Sequence, residues 1–172
     1  DWLSRNLPRL DSVRRELLWA LESGVSAADY ATSDAHAVTI VCQLEGCTTG
    51  IAGHVHIGDG VILGGMTGVH QFCRIGSYAM TAGCSLVLKD IPAFVMVSGN
   101  PAGARSMNFE GMRRRGWDAD VVATLRRAYK TVYRQGLTLE QALAELEPQV
   151  ATCPQLAMFV DSLRASERGI TR

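Results

Sequence analysis

The stretch from Ile51 to Pro92 reads, six residues at a time, IAGHVH IGDGVI LGGMTG VHQFCR IGSYAM TAGCSL VLKDIP. Its first column holds Ile51, Ile57, Leu63, Val69, Ile75, Thr81 and Val87, and the next step of six falls on Ala93. Thr81 and Ala93 aside, these are large aliphatics. The fifth column holds Val55, Val61, Thr67, Cys73, Ala79 and Ser85, all small or medium, and Gly58, Gly64 and Gly76 directly follow an aliphatic position. An amphipathic helix repeats near 3.6 residues, and a hairpin sheet alternates in twos with turns about every eight to twelve, so neither yields sixes. A triangular parallel β-helix does: each hexad supplies one short strand and one corner, and about three hexads complete a turn. The aliphatic residue points inward, the small one fits the crowded turn, and Met66, Met80 and Met96 are expected as core fillers. Only a little more than two turns fit between Ile51 and Ala93. So short a coil leaves its strand edges bare, which predicts that it needs partners.

Outward from the repeat the pattern changes on both sides. Ser98-Gly99-Asn100-Pro101-Ala102-Gly103 is a turn-rich exit. Asp118 can cap a helix to about Gln135, with Val121, Val122, Leu125, Ala128, Tyr129 and Val132 on one stripe and Gly136 as the stop. Thr138 and Gln141 form a capping-box pattern for a helix through about Leu146 that should end before Pro148. Pro154 opens a last helix carrying Leu156, Phe159, Val160 and Leu163. Upstream, the hexad register run backwards lands on Glu45, Thr39 and Ser33, so the repeat stops at Ile51. Residues 1–50 are expected to be an independent helical cap, with Asp11 to Glu22 as its helix, or sequence foreign to the coil, such as a stretch read in a shifted frame. The expected division is 1–50, coils over 51–97, and helices over 98–172.

Composition narrows the function classes. The 172 residues carry 17 basic and 17 acidic side chains and a net charge of zero, and Arg113-Arg114-Arg115 is the one basic run, so no nucleic acid is expected as a partner. By itself that run reads as a solvated helix face. With 47% hydrophobic but only 6% aromatic residues, a core should form without much aromatic bulk. Five cysteines at irregular spacing argue against a disulfide framework, and Cys42 and Cys47 have no His or Cys pair to complete a metal site. No apolar run approaches the roughly twenty residues of a transmembrane span, and the first residues do not resemble a signal peptide, so the cytoplasm is the expected compartment.

From Ile51 onward the chain closely resembles the UDP-N-acetylglucosamine O-acyltransferase family, which opens lipid A biosynthesis. The resemblance rests on Ile51-Ala52-Gly53-His54-Val55, Gly64-Gly65-Met66, Val69-His70-Gln71-Phe72-Cys73, Asp90-Ile91-Pro92, Asn108-Phe109-Glu110-Gly111-Met112-Arg113-Arg114-Arg115-Gly116, and Ala128-Tyr129-Lys130 with Tyr133-Arg134. It implies a left-handed parallel β-helix of hexapeptide repeats followed by an α-helical domain, assembled as a homotrimer with active sites between neighbouring coils. The implied reaction moves a 3-hydroxyacyl chain from acyl carrier protein to the 3-hydroxyl of UDP-N-acetylglucosamine, with no cofactor and no metal. By the same matching the Gly53 N–H is the oxyanion donor, and His54, His70 and Gln71 contact substrate. Asn108, Glu110 and Arg115 meet the UDP-sugar, Arg114 meets donor or carrier, and Gly83 bears on acyl-chain length. Pro101 stands where some relatives carry His at the end of that chain-length ruler. His56 lies off the motifs.

The family's general base belongs to a pattern like Ala-His-x-x-His-Asp-Cys, and its position falls here on Ala35. The neighbouring His36 is the one histidine close by, in Asp34-Ala35-His36-Ala37-Val38. The upstream Lys and Asp of the family site have no counterpart. A competing reading is therefore a catalytically impaired hexapeptide trimer that at most binds UDP-sugar.

Overall fold

A computed structural model of the chain describes residues 49–172. Asp11–Glu22, Ala35, His36, Cys42 and Cys47, with the readings attached to them, lie outside the described residues. Seven two-residue strands follow one another at six-residue intervals: β1 Gly50–Ile51, β2 His56–Ile57, β3 Ile62–Leu63, β4 Gly68–Val69, β5 Arg74–Ile75, β6 Met80–Thr81 and β7 Leu86–Val87. Each of β1 to β4 pairs in parallel with the strand eighteen residues on, so that Ile51 sits beside Val69 and Val69 beside Val87, while Ile57 stacks on Ile75. Three hexads therefore close one triangular turn, and three sheets form the walls of a tube. The first-column side chains fill its axis: Ile51, Ile57, Val69, Ile75 and Val87 are buried, and so are Val55, Thr67, Cys73, Ala79 and Ser85 of the fifth column.

The corners are set one residue earlier than the small fifth position. His54, Gly60, Met66, Phe72, Tyr78 and Cys84, again six apart, all take left-handed backbone with φ between 57° and 65°. Five of the six bear side chains, although such φ values cost a non-glycine residue on the order of 1 kcal/mol. The glycines after the aliphatic column serve a different purpose, close approach of neighbouring coils. A Cβ on Gly76 would stand 2.3 Å from the Ala93 nitrogen, and one on Gly64 2.5 Å from the Gly83 nitrogen.

The register contracts at the end of the coil. Ile75 bridges to Ile91 and Thr81 pairs with Val97, sixteen residues on rather than eighteen. The position six beyond Val87 is thus occupied spatially by Ile91, and Ala93, expected in the aliphatic column, is buried against Gly76 instead. The last strand of the tube, β8 Val95–Ser98, is followed by β9 Gly103–Met107, which pairs with it antiparallel and which the hexad pattern did not foreshadow.

All three C-terminal edges of the tube are covered: β8 by β9, β7 by hydrogen bonds to Gly99 and Ala102, and the Asp90 edge by Gly169–Thr171 at the chain's end. Asp90 fastens that last contact. Its buried carboxylate accepts from the Arg74 N–H (2.8 Å), the Ser166 hydroxyl (2.8 Å) and the N–H groups of Glu167 and Arg168.

Four helices complete the chain: α1 Phe109–Arg114, α2 Ala119–Arg134, α3 Leu139–Val150 and α4 Pro154–Arg164. In α2, Leu125, Ala128, Tyr129 and Val132 are buried, Val121 and Val122 half-buried, and Gly136 follows with φ +71°. Asp118 precedes α2 without a side-chain hydrogen bond to it. Thr138 and Gln141 form the reciprocal capping box of α3, but the helix runs past the expected stop and contains Pro148. Pro148 lies in the last turn, where proline forfeits a single hydrogen bond. Met66, expected in the core, stands outside at a corner with 68% of its surface exposed. Two phenylalanines are fully buried, Phe94 at the tube corner that faces the helices and Phe159 in α4.

Candidate active site

One corner of the tube gathers four of the residues singled out by sequence. Gly53 and His54 lie one coil above Gln71 and Phe72, with His70 beside them, and His54, His70, Gln71 and Phe72 are all exposed. The His54 and Phe72 rings stack with centroids 4.9 Å apart and planes 3° from parallel. His70 is held through its backbone N–H to the Val87 carbonyl, and its Nδ1 lies 3.0 Å from the Gln71 carbonyl oxygen. The Gly53 carbonyl accepts the Phe72 N–H at 3.2 Å, while the Gly53 N–H meets no acceptor among the described residues.

That vacancy follows from the coil itself. The inter-coil ladder uses N–H groups on either side of the third hexad position, and Gly65, Gln71, Ser77 and Gly83 are likewise left out of it. Among the described residues two of these donors stand directly beside a histidine, Gly53 beside His54 and Gln71 beside His70. A main-chain donor next to an imidazole can hold an oxygen that gains negative charge and can relay a proton to or from it. Beside His70 runs a shallow apolar groove of about 310 Å³, lined by Gly50, Ala52, Gly68, Leu86 and Leu88.

A second corner carries Gly60, Tyr78 and Phe94, and against it packs the segment 108–117. Asn108 is buried and caps α1, accepting from the Gly111 N–H (3.0 Å) and donating to the Tyr78 carbonyl (3.1 Å). A Cβ on Gly111 would fall 2.5 Å from the Asn108 Nδ2, which is why Asn and Gly occur together in this turn. These two bonds use one N–H of the amide and one lone pair of its oxygen. Glu110 accepts from Arg113 (2.7 Å) and Arg114 (2.9 Å), and these guanidinium groups hold its carboxyl down at about 2. Arg115 stands apart from that pair: its guanidinium lies 4.9 Å above the Tyr78 ring and donates to the Gly111 carbonyl at 3.2 Å.

The structure therefore brings the expected residues together in two sets, Gly53, His54, His70 and Gln71 on one corner, and Asn108, Glu110, Arg114 and Arg115 by the next. Gly83 belongs to a third corner with Met66 and Cys84, where an added Cβ would stand 3.2 Å from the Gly65 carbonyl oxygen. Phe72, Tyr78 and Asp90 had no assigned role, although the six-residue spacing of 54, 60, 66, 72 and 78 was available to find the first two. Burial pushes the Cys73 thiol up, with Asp90 acting in the same direction. Among the described residues no cluster of three or more His, Cys, Asp or Glu could hold a metal ion, and no helix is long and apolar enough to cross a membrane.

Parallel hexad coils with a side-chain-bearing corner, followed by a small helical domain, define a left-handed β-helix protein of the hexapeptide-repeat class. The family model described as UDP N-acetylglucosamine O-acyltransferase, domain 2, matches residues 90–171. Over 124 residues the chain is 61% identical to the acyl-(acyl-carrier-protein)–UDP-N-acetylglucosamine O-acyltransferase of Pseudomonas fluorescens Pf0-1, a match covering 72% of this chain and 48% of that relative. The protein of the same name from Pseudomonas aeruginosa PAO1 is 57% identical over the same shares. Among solved structures, UDP-N-acetylglucosamine O-acyltransferase from Moraxella catarrhalis superimposes with a TM-score of 0.71 at 51% identity, and LpxA from Acinetobacter baumannii with 0.70 at 53%. Each of these matches covers 72% of this chain and 48% of the other. The chain belongs to the UDP-N-acetylglucosamine O-acyltransferase family, as a segment of it: it spans about half the length of the curated relatives it matches.

Proposed function

We propose that this chain carries the C-terminal coils and helical domain of an enzyme that transfers a 3-hydroxyacyl chain from acyl carrier protein to the 3-hydroxyl of UDP-N-acetylglucosamine. The observation that carries the reading is the 61% identity to a protein named for that reaction, over a region that includes both residue sets. A sugar hydroxyl is a weak nucleophile near neutral pH and needs a base to take its proton as the C–O bond forms. The thioester carbonyl oxygen, as it becomes an oxyanion, is received by the Gly53 N–H, with His54 beside it. When the C–S bond breaks, the proton passes to the departing thiolate. The groove beside His70 suits an acyl chain, Arg114 meets the donor or its carrier, and Arg115 suits the diphosphate, because a guanidinium offers a planar fork of donors.

Within one chain the histidines and the arginines occupy different corners, which supports a homotrimer in which a site is completed between coils. The cytoplasm fits substrates of this kind. A second reading rests on Ala35, which stands where the family places its base: a trimer that binds UDP-sugar without turnover. Purified chain incubated with 3-hydroxyacyl carrier protein and UDP-N-acetylglucosamine, followed by mass spectrometry, separates the two. Acylated product lost on His36→Ala establishes transfer with a relocated base, whereas UDP-sugar binding without product establishes the second reading.

A further inference from the structure

We infer that Tyr78 is the positioning residue that presents Arg115 to the UDP-sugar; the inference rests on the functional reading above. Arg115 is exposed at the C-terminal end of α1, where an unrestrained guanidinium samples many rotamers. Here it is held from three sides. Its carbon lies 4.9 Å from the Tyr78 ring centroid, Nη1 donates to the Gly111 carbonyl at 3.2 Å, and Nη2 reaches the Gly60 carbonyl at 3.5 Å.

The ring is itself fixed. Tyr78 sits at a left-handed corner, stacks on Phe94 at 5.8 Å with planes 6° apart, and receives the edge of Trp117 at 5.4 Å. The corner residue one coil above is Gly60, and a Cβ there would stand 2.8 Å from the Tyr78 ring and 3.1 Å from the Arg115 guanidinium. The absent side chain leaves the space that Arg115 fills. The Tyr78 carbonyl also accepts from Asn108, so a single corner residue orients two members of the same set, one through its ring and one through its backbone. Arg113 and Arg114 are tied to Glu110, and Arg115 alone in the run is aimed by an aromatic face.

The test compares the unaltered chain with Tyr78→Phe, Tyr78→Leu, Arg115→Ala and the double variant Tyr78→Leu/Arg115→Ala. UDP-N-acetylglucosamine is titrated by calorimetry, and the Arg115 side-chain resonances are followed by NMR without ligand. Phe keeps the π-face, so Tyr78→Phe should bind within about twofold of the unaltered chain, while Tyr78→Leu should bind roughly five- to tenfold more weakly, as expected for losing a cation–π hold. The double variant should bind no more weakly than Arg115→Ala alone, because Tyr78 acts through Arg115. The upfield ring-current shift of the Arg115 side chain should persist in Tyr78→Phe and vanish in Tyr78→Leu. Undiminished binding by folded Tyr78→Leu, or additive losses in the double variant, overturns the inference. If the unaltered chain binds no UDP-N-acetylglucosamine, the functional reading falls, and the ligand-free resonances still decide whether Tyr78 places Arg115.

Discussion

The His54 corner and the Tyr78 corner are made from the same hexad with the same left-handed residue, yet they are finished differently. At the first, His54 and Phe72 stack on each other and are exposed, with no helix among the described residues laid over them. At the second, Tyr78 is wedged between Phe94 and Trp117 and covered by Arg115. The position after the aliphatic column differs to match. It is Ala52, His70 and Leu88 along the histidine corner, but Gly58 and Gly76 along the other, where a Cβ would strike the backbone of the next coil. Among the described residues the corner proposed for proton transfer is thus left bare, and the corner proposed for anion binding is pre-assembled. A repeat can diversify by corner: its geometry is shared, and what packs on each edge decides whether the edge becomes scaffold or reaction surface.

The comparison can be broken at its supports. Asp90→Ala should have the largest effect, because it strips a buried carboxylate from three N–H groups and a hydroxyl and frees the C-terminal segment from the tube. A loss of about 3–5 kcal/mol is expected in urea unfolding, and a loss below ~1 kcal/mol would mean that the tail is held by other contacts. Next comes Gly76→Ala, where the added methyl meets the Ala93 backbone, with an expected cost of about 3 kcal/mol. Ala52→Ser, at the equivalent position of the histidine corner, should cost well under ~1 kcal/mol, and equal melting temperatures for the two variants would erase the distinction between corners.

Asn108→Ala removes the cap of α1 and should cost about 1–2 kcal/mol in stability while also weakening UDP-sugar binding. Unchanged affinity at reduced stability would make Asn108 purely structural. Glu110→Gln is the mildest. In the folded chain the carboxyl titrates at about 2, below its ordinary 4.5, so its contribution is fully present above pH ~4.5 and fades as pH falls toward 2. Melting temperatures of the two proteins should differ slightly at pH 7 and converge at the acid end of that window. A gap that widened on acidification would contradict the pairing with Arg113 and Arg114.

The coil was legible because its core obeys a period that no helix or hairpin shares, and six of the seven first-column positions from Ile51 to Val87 are large aliphatics, Thr81 being the exception. The period misleads at Ala93, since nothing in the composition of 87–91 announces a contraction by two residues. Corners were harder to read. Left-handed backbone usually advertises itself as Gly or Asn, but here it is occupied by His, Met, Phe, Tyr and Cys, whose aromatic members then stack between coils. Met66 was assigned to the core for its hydrophobicity and lies outside because its place in the hexad, not its chemistry, determines which way it points. The motif residues were findable one by one. Their distribution over two corners of one chain was not, because that depends on which of three walls each hexad joins.

The two-residue contraction between Val87 and Ile91 has one more implication. Upstream of it the tube is modular, and its length changes in whole turns: duplicating eighteen residues within Ile51 to Val87 adds a storey and returns every corner to its own edge. Downstream of it phase matters. Restoring the two residues would turn Ile91 and Phe94 away from Ile75 and Tyr78 and swing β9 and the helices out of alignment with the Arg115 edge. The shortened turn acts as an indexing notch, allowing the tube to be any number of storeys tall while the helical domain always locks on facing the same way.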